Sequence, residues 1–279
     1  MAEITAAAVK SLRERTGLPM MDCKRALEQA GGDPEAAIEI LRKAGKKTME
    51  KRSGRETSFG RVFVKASIAP PVGAMVELRC ESAPVANNEE FLQLGRDLVE
   101  RMAMEPAAIT PDDLLGRPSP SKPGQTLREQ LDDLSNRIRE VFRVTRVVRL
   151  DGPCGGYAHH SGTSGVLLQI DGGDGELAKD ICMHIAAMRP LVVSRDQLDP
   201  AAIDKERQIL SEQARQEGKP EKIIAKMIEG RMKDFYAERC LAEQPHVNKE
   251  KYHNETVAKL SEKAGMKLVR FVLWELGKE

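Results

Sequence analysis

Aromatic residues are scarce in this chain, only 4% of 279 residues with a single Trp, so its cores have to be built from aliphatic side chains and Met. No apolar run approaches the eighteen or so residues that a membrane-spanning helix needs, and the amino terminus carries neither a charged-then-apolar signal nor an Arg-rich transit segment. The expected location is cytoplasmic, with no membrane partner. The five cysteines, Cys23, Cys80, Cys154, Cys182 and Cys240, are odd in number, widely separated and without a CxxC pair, which excludes a disulfide framework and a zinc knuckle as first readings. They are expected to be reduced and mostly buried. Net charge is lacking too: 44 basic residues stand against 43 acidic ones, so no global field draws the chain onto nucleic acid. A protein is the expected partner, with no direct nucleic-acid contact.

What is present is 41% hydrophobic content, enough for the cores of two or three domains. Residues 1–45 read as a three-helix domain. Ile4, Val9 and Leu12, then Met21, Ala26 and Leu27, then Ala37, Ile38 and Leu41 each recur at helical spacing. Asp33 is placed as an N-cap with Pro34 at the first helical position, and Gly45 as a left-handed C-cap. Residues 46–58 are basic and poor in apolar side chains, the pattern of a linker or a loosely held helix.

From Arg61 the period changes to two. Val62, Val64, Ala66 and Ile68, a Pro70-Pro71-Val72-Gly73 turn, and Val76, Leu78 and Cys80 predict a hairpin with one buried face. A helix from about Asn88 aligns Phe91, Leu94, Leu98 and Met102, and after a Pro-rich connector another aligns Leu127, Leu131, Leu134, Ile138 and Val141. Val144–Leu150 and Val166–Ile170 predict two strands around a glycine-rich turn, followed by a helix with Leu177, Ile181, Ile185 and Met188. Two α+β lobes built on antiparallel sheets follow, the first over 59–142 and the second over 143–199 and 245–279. Residues 200–244 predict an inserted antiparallel helical hairpin turning at Gly218-Lys219-Pro220, its thin seam formed by Ile203, Leu210 and Ala214 against Ile224, Met227, Ile228 and Phe235. So thin a seam is expected to let it project and move. The last strand, apolar on both sides around Val269–Leu276, is expected to be covered on both faces.

Several chemical readings fail on the residues alone. Gly45-Lys46-Lys47-Thr48 has an extra Lys for a phosphate loop, and Ile40 stands near where its first glycine belongs. Cys154, His159 and His160 lack a fourth metal ligand at a recognisable spacing. His184 lies between Ile181 and Ile185, where a packed core histidine is the simpler reading. Turn and helix-cap chemistry suffices for Asp171, Asp174 and Glu176.

The wording of Thr16-Gly17-Leu18-Pro19-Met20-Met21-Asp22-Cys23-Lys24-Arg25-Ala26-Leu27, with Gly32-Asp33 and Ala36-Ala37-Ile38-Glu39, resembles the start of the bacterial translation elongation factor Ts family. Asp180-Ile181-Cys182-Met183-His184-Ile185-Ala186-Ala187-Met188-Arg189-Pro190 is similar to that family's signature helix. Gly218-Lys219-Pro220 through Lys226-Met227-Ile228-Glu229-Gly230-Arg231-Met232-Lys233 resembles its coiled-coil hairpin. The resemblance implies a non-enzymatic guanine nucleotide exchange factor without cofactor. It would bind elongation factor Tu carrying GDP and promote GDP release by disturbing the Mg²⁺ and phosphate site, so that GTP can rebind. It also implies no catalytic residue, no metal and no nucleotide held by this chain itself.

By the same resemblance, Ser82, Ala83, Pro84 and Val85 match the family's Mg²⁺-dislocating segment, commonly Thr-Asp-Phe-Val, with the acid and the aromatic both replaced. Pro84 reads as a stiff apolar wedge, or else as the end of a strand that sets up a helix. Further partner contacts are implied at Leu12, Met20, Ile138 and His159, Leu12 and Met20 being alternatively core. Arg139 and His160 stand where the family has glycine. The family often carries a further carboxyl-terminal helical module, and with Glu279 soon after the last strand that contact is expected to be missing. A second reading is an interaction adaptor docking through its three helices, which are similar to ubiquitin-associated domains.

Overall fold

The computed structural model describes residues 4–107, 109–217 and 220–278. The chain is α+β and divides into two compact units, one of residues 1–63, 76–148 and 276–279, the other of residues 64–75 and 149–275.

The first unit opens with α1 (Ala6–Thr16), α2 (Met20–Gln29) and α3 (Pro34–Arg52). Thr5 caps α1 by accepting the Ala8 N–H at 3.2 Å, and Gly17, at φ 66°, ends it by donating to the Arg13 carbonyl at 2.8 Å. Asp33 caps α3 through the Glu35 N–H at 2.9 Å. Val9, Leu12, Leu18, Cys23, Ala26, Leu27, Ala37 and Leu41 form the core, with Ile4 and Ile38 packed at its edge. Two expectations are corrected. Met21 is 59% exposed, the inward face of α2 being set by Cys23, Ala26 and Leu27. Gly45 does not cap α3, which runs on through it to Arg52. A Cβ at Gly45 would lie 2.5 Å from the Asn136 side chain, so the glycine makes room for a neighbouring helix and the basic stretch begins as helix.

β1 (Phe59–Ser67) and β2 (Val72–Cys80) follow, then α4 (Glu89–Met104), α5 (Pro111–Leu115), α6 (Leu127–Ile138) and β3 (Arg143–Asp151), with residues 64–67 of β1, 72–75 of β2 and 149–151 of β3 counted in the other unit. The sheet order is β1-β2-β3. The middle strand β2 is buried along nearly its whole length rather than on one face. β3, which was expected to open the second lobe, instead pairs beside β2 and completes this sheet. Burial extends to Glu77, whose carboxylate is held by Arg79 and Thr145 at 2.5 Å and by Arg146. Asn88 caps α4 by accepting from Glu90 and Phe91, and Phe91, Leu94, Leu98 and Met102 are fully buried. A Thr126/Glu129 capping box starts α6. That helix ends at Ile138, with Arg139 in the left-handed region, so Val141 lies outside the stripe in which it was placed.

The second unit is built on β4 (Cys154–Ala158), β5 (Ser164–Asp171) and β6 (Lys267–Glu275), antiparallel in the order β4-β5-β6, with Tyr157 opposite Val166 and Leu167 opposite Val272. β4 lies inside the stretch expected to be a turn. Its glycines mark close packing: a Cβ at Gly155 would come within 2.8 Å of the Ala178 backbone. That backbone belongs to α7 (Gly175–Met188), capped by Asp174 through the Leu177 N–H at 2.8 Å. Val166, Leu168, Ile170, Ile181 and Ile185 fill the core between sheet and helix, while Met188 is 44% exposed. β6 is an edge strand with Val269 37% exposed, which corrects the expectation of cover on both faces.

α8 (Pro200–Gln216) and α9 (Glu221–Arg239) pack along Leu210, Ala214, Ile224 and Phe235, joined by Met232 and Tyr236, with Ile203 and Ile228 partly buried. α9 ends at Arg239 and a single turn, Leu241–Glu243, follows, five residues sooner than the spacing had suggested. Of the expected turn, Gly218 and Lys219 lie outside the described residues. α10 (Lys249–Tyr252) and α11 (Val257–Lys263) lead into β6. All five cysteines are free and buried.

Candidate partner-binding site

The segment Ser82–Val85 leaves the end of β2 and enters a single tight turn, Val85–Asn87, before Asn88 starts α4. Its peptide groups are tied inward while its centre faces out. The Ser82 carbonyl accepts from the Cys80 thiol at 3.2 Å and from the Ala86 N–H at 3.3 Å, and the Pro84 carbonyl accepts from the Asn87 N–H at 3.2 Å. Asn87 donates its side-chain amide to the Ala83 carbonyl at 3.1 Å, and Arg61 donates to the Ala86 carbonyl at 2.9 Å. Ala86 is buried and acts as the anchor; Ala83 and Pro84 are exposed, and Ser82 and Val85 are partly so. Pro84 sits at φ −60°, ψ −37°, its ring fixing the first of these angles. β2 ends at Cys80, so Pro84 does not terminate the strand as the second reading had it; it caps the turn and stands at the surface.

Two carboxylates brace this segment against the chain that follows α6. Glu140 accepts the Ser82 hydroxyl at 2.6 Å and the Ser82 N–H at 3.1 Å. Glu81 accepts the Val141 N–H at 2.8 Å and the Arg55 guanidinium at 2.9 Å. Burial works against ionisation of Glu81, but the Val141 N–H and Arg55 together hold its carboxyl below the usual range. Burial raises the Cys80 thiol to about 11, against the bond it makes to Ser82. A protonated donor therefore supports the turn, and a reactive thiolate is not formed.

Ile138, partly exposed, ends α6 two residues before Glu140. Met20, 49% exposed, is two residues from Asp22, which pairs with Arg139. Leu12 is different: at 2% exposure it takes the core place that was its alternative reading and offers a partner almost no surface. His159 lies in the other unit, partly exposed, in the loop after β4, with Nδ1 2.6 Å from the Ser161 hydroxyl and its ring 4.1 Å from that of His160. Glu81, Glu140 and Arg55 were missed in the sequence, because an isolated Glu at a strand or helix end carries no spacing signal of its own.

No group of three His, Cys, Asp or Glu among the described residues is placed to hold a metal ion. Gly45–Thr48 is helix, leaving no phosphate loop there. His184 is fully buried, hydrogen-bonded to Gln244 and Val247. No helix among the described residues is long and apolar enough to cross a membrane.

The sequence profile of the family described as "Elongation factor TS" matches residues 84–278. The chain belongs to the elongation factor Ts family. It is 42% identical over 277 residues to Elongation factor Ts of Thioalkalivibrio sulfidiphilus, covering 98% of this chain and 92% of that one. With the Aquifex aeolicus Elongation factor Ts it shares 40% over 280 residues, 96% of each chain, and with that of Kineococcus radiotolerans 38% over 283 residues, 99% of this chain and all of the other. Members of the elongation factor Ts family are nucleotide exchange factors for elongation factor Tu in translation elongation, and that is the role of this chain. The adaptor alternative finds no support in these relationships.

Proposed function

We propose that this chain acts by wedging Ser82–Val85 into the nucleotide-bound partner at its Mg²⁺ and phosphate site. The observation that carries the reading is a segment whose backbone is hydrogen-bonded on the inside while Ala83 and Pro84 stand exposed at its tip. A bound nucleotide and its Mg²⁺ can be released only by something that prefers the open state, because a ligand shifts an equilibrium solely by its differential affinity. Acceleration by three to five decades asks for roughly 4–7 kcal/mol of such discrimination, and linkage requires nucleotide to weaken the factor's binding by the same coupling. An uncharged, φ-restricted tip is suited to this. It brings no carboxylate to replace the metal, so it acts by displacement, and it loses little conformational freedom on insertion. Disturbing the Mg²⁺ is efficient because that ion neutralises the phosphate oxygens.

The three-helix module of residues 1–45, taken as ubiquitin-associated-like, would dock through the surface around Met20, while Ile138 and His159 add contacts. The α8–α9 pair is taken as the coiled-coil hairpin of residues 200–244. On this reading the protein works in the cytoplasm without a catalytic residue, a cofactor, a nucleotide of its own, nucleic acid or a membrane. The test is release of fluorescent GDP from the cognate elongation factor Tu, with this protein and with a variant in which Ser82–Val85 is replaced by Gly-Ser-Gly-Ser. Release that collapses in the variant supports the wedge; release that survives moves the mechanism to other contacts.

A further inference from the structure

We infer that Glu140 is a positioning residue for exchange: its carboxylate, by gripping Ser82 at both the hydroxyl and the backbone N–H, sets the direction in which Ala83 and Pro84 project. The inference rests on the wedge reading above. Ser82 is the first residue of the segment beyond the paired strand, so no sheet partner fixes it. The two Glu140 contacts, 2.6 Å to the hydroxyl and 3.1 Å to the N–H, use both carboxylate oxygens and leave Ser82 little rotation about its own backbone. Next to this pair the arrangement is reversed, Glu81 accepting the Val141 N–H at 2.8 Å. Adjacent residues of two chain segments thus brace one another in opposite directions. A single bond would act as a pivot, whereas two crossed ones resist both twist and shear.

Glu140 itself is held on a stiff support. It follows Arg139, which ends α6 in the left-handed conformation, and it precedes Val141, whose N–H is the one Glu81 takes. The Arg139 carbonyl accepts from Arg52, and its side chain pairs with Asp22. The backbone on both sides of Glu140 is therefore fixed before the carboxylate reaches Ser82. Neither Glu140 oxygen is needed by the core, because the hydrophobic packing of α4 and α6 runs through Phe91, Leu94, Leu131 and Leu134. Removing the carboxylate is expected to leave the fold in place and free the tip.

The experiment compares GDP release from elongation factor Tu over a range of factor concentrations for the full-length protein, E140A, E140Q, S82A and the double variant E140A/S82A. The Gly-Ser-Gly-Ser replacement is run alongside. E140A is expected to lower the maximal release rate about tenfold while leaving the half-saturating concentration within about twofold, since docking at other surfaces persists. E140Q, which can still accept the Ser82 N–H, is expected to recover most of the rate. E140A and S82A are expected to be non-additive, because one interaction is lost in both. Amide exchange at Ser82 should accelerate in E140A with the melting temperature nearly unchanged. A full maximal rate in E140A, while the Gly-Ser-Gly-Ser variant is inactive, overturns the positioning role alone. Full activity of the Gly-Ser-Gly-Ser variant overturns the wedge itself.

Discussion

Arg139 pairs its guanidinium with the carboxylate of Asp22, 117 positions earlier in the chain, and it does so from a backbone conformation that an L-residue rarely adopts, φ 66° and ψ 31°. The strain of that conformation is of order 1 kcal/mol. An ion pair with partners 46% and 29% exposed returns no more than about 1 kcal/mol. Arg139→Gly should therefore be close to neutral, losing the pair and the strain together. Arg139→Ala keeps the strain without the pair and should cost about 1 kcal/mol more than the glycine variant. Urea unfolding of both variants decides it, and equal stabilities would show that the left-handed position carries no cost here.

Gly155 and Gly45 make opposite predictions from similar geometry. At Gly155 a Cβ would meet the backbone of Ala178 at 2.8 Å, and a helix backbone moves only if α7 moves. Gly155→Ala should lose about 1–3 kcal/mol. At Gly45 the obstacle is the far end of the Asn136 side chain, which can rotate aside, and alanine is the better helix former by about 1 kcal/mol. Gly45→Ala should be neutral or mildly stabilising. Thermal unfolding of the two variants is the measurement, and a costly Gly45→Ala would mean that Asn136 is fixed in place.

The same residues show what could be read in advance. Helix positions followed from period and local cap chemistry, as at Asp33 and Asp174 and at the helix start near Asn88, because each cap lies within four residues of what it binds. Gly45 was misread because a glycine ending a helix and a glycine admitting a neighbouring helix look alike in one dimension. β4 was hidden for the same reason: Gly155 and Gly156 suggest a turn until α7 is laid over them. The membership of β3 depends on long-range pairing, to which local alternation is blind. At the candidate site the family resemblance pointed to Ser82–Val85, while the residues that support it carried no signal. Glu140 lies 58 residues from Ser82, and nothing local to either residue announces the other.

His184 makes stability depend on pH. Its Nε2 is 2.9 Å from the Gln244 side-chain oxygen, and its Nδ1 accepts the Val247 N–H at 3.0 Å, so the neutral tautomer carrying its proton on Nε2 satisfies both. Burial, aided by the stacked His246, pushes the pKa down to about 4 against the Gln244 bond. The unfolded chain takes up this proton near pH 6.5 and the folded chain resists it. Stability is therefore complete above about pH 6.5 and is lost as pH falls toward 4, by about 2–3 kcal/mol from this group. Urea midpoints at pH 7, 6 and 5 should fall for the native chain and fall less steeply for His184→Gln, whose own stability at pH 7 is lower. Parallel pH profiles for the two proteins would remove His184 as the source.

Leu12 and Met20 separate core from contact within the three-helix module. Leu12 is 2% exposed among Val9, Cys23 and Leu27, and truncating it leaves a cavity, so Leu12→Ala should destabilise the protein by about 2–5 kcal/mol. Met20 is 49% exposed at the start of α2. Met20→Ala should change stability by less than about 0.5 kcal/mol. If the surface around Met20 docks on elongation factor Tu, the same substitution weakens that complex several-fold, because a flexible thioether side chain fills irregular apolar gaps at interfaces. The two variants must be compared by both urea unfolding and titration against the nucleotide-free partner. Unaltered affinity in Met20→Ala would leave the module docked through another face. Unaltered stability in Leu12→Ala would contradict the buried position from which its exclusion as a contact follows.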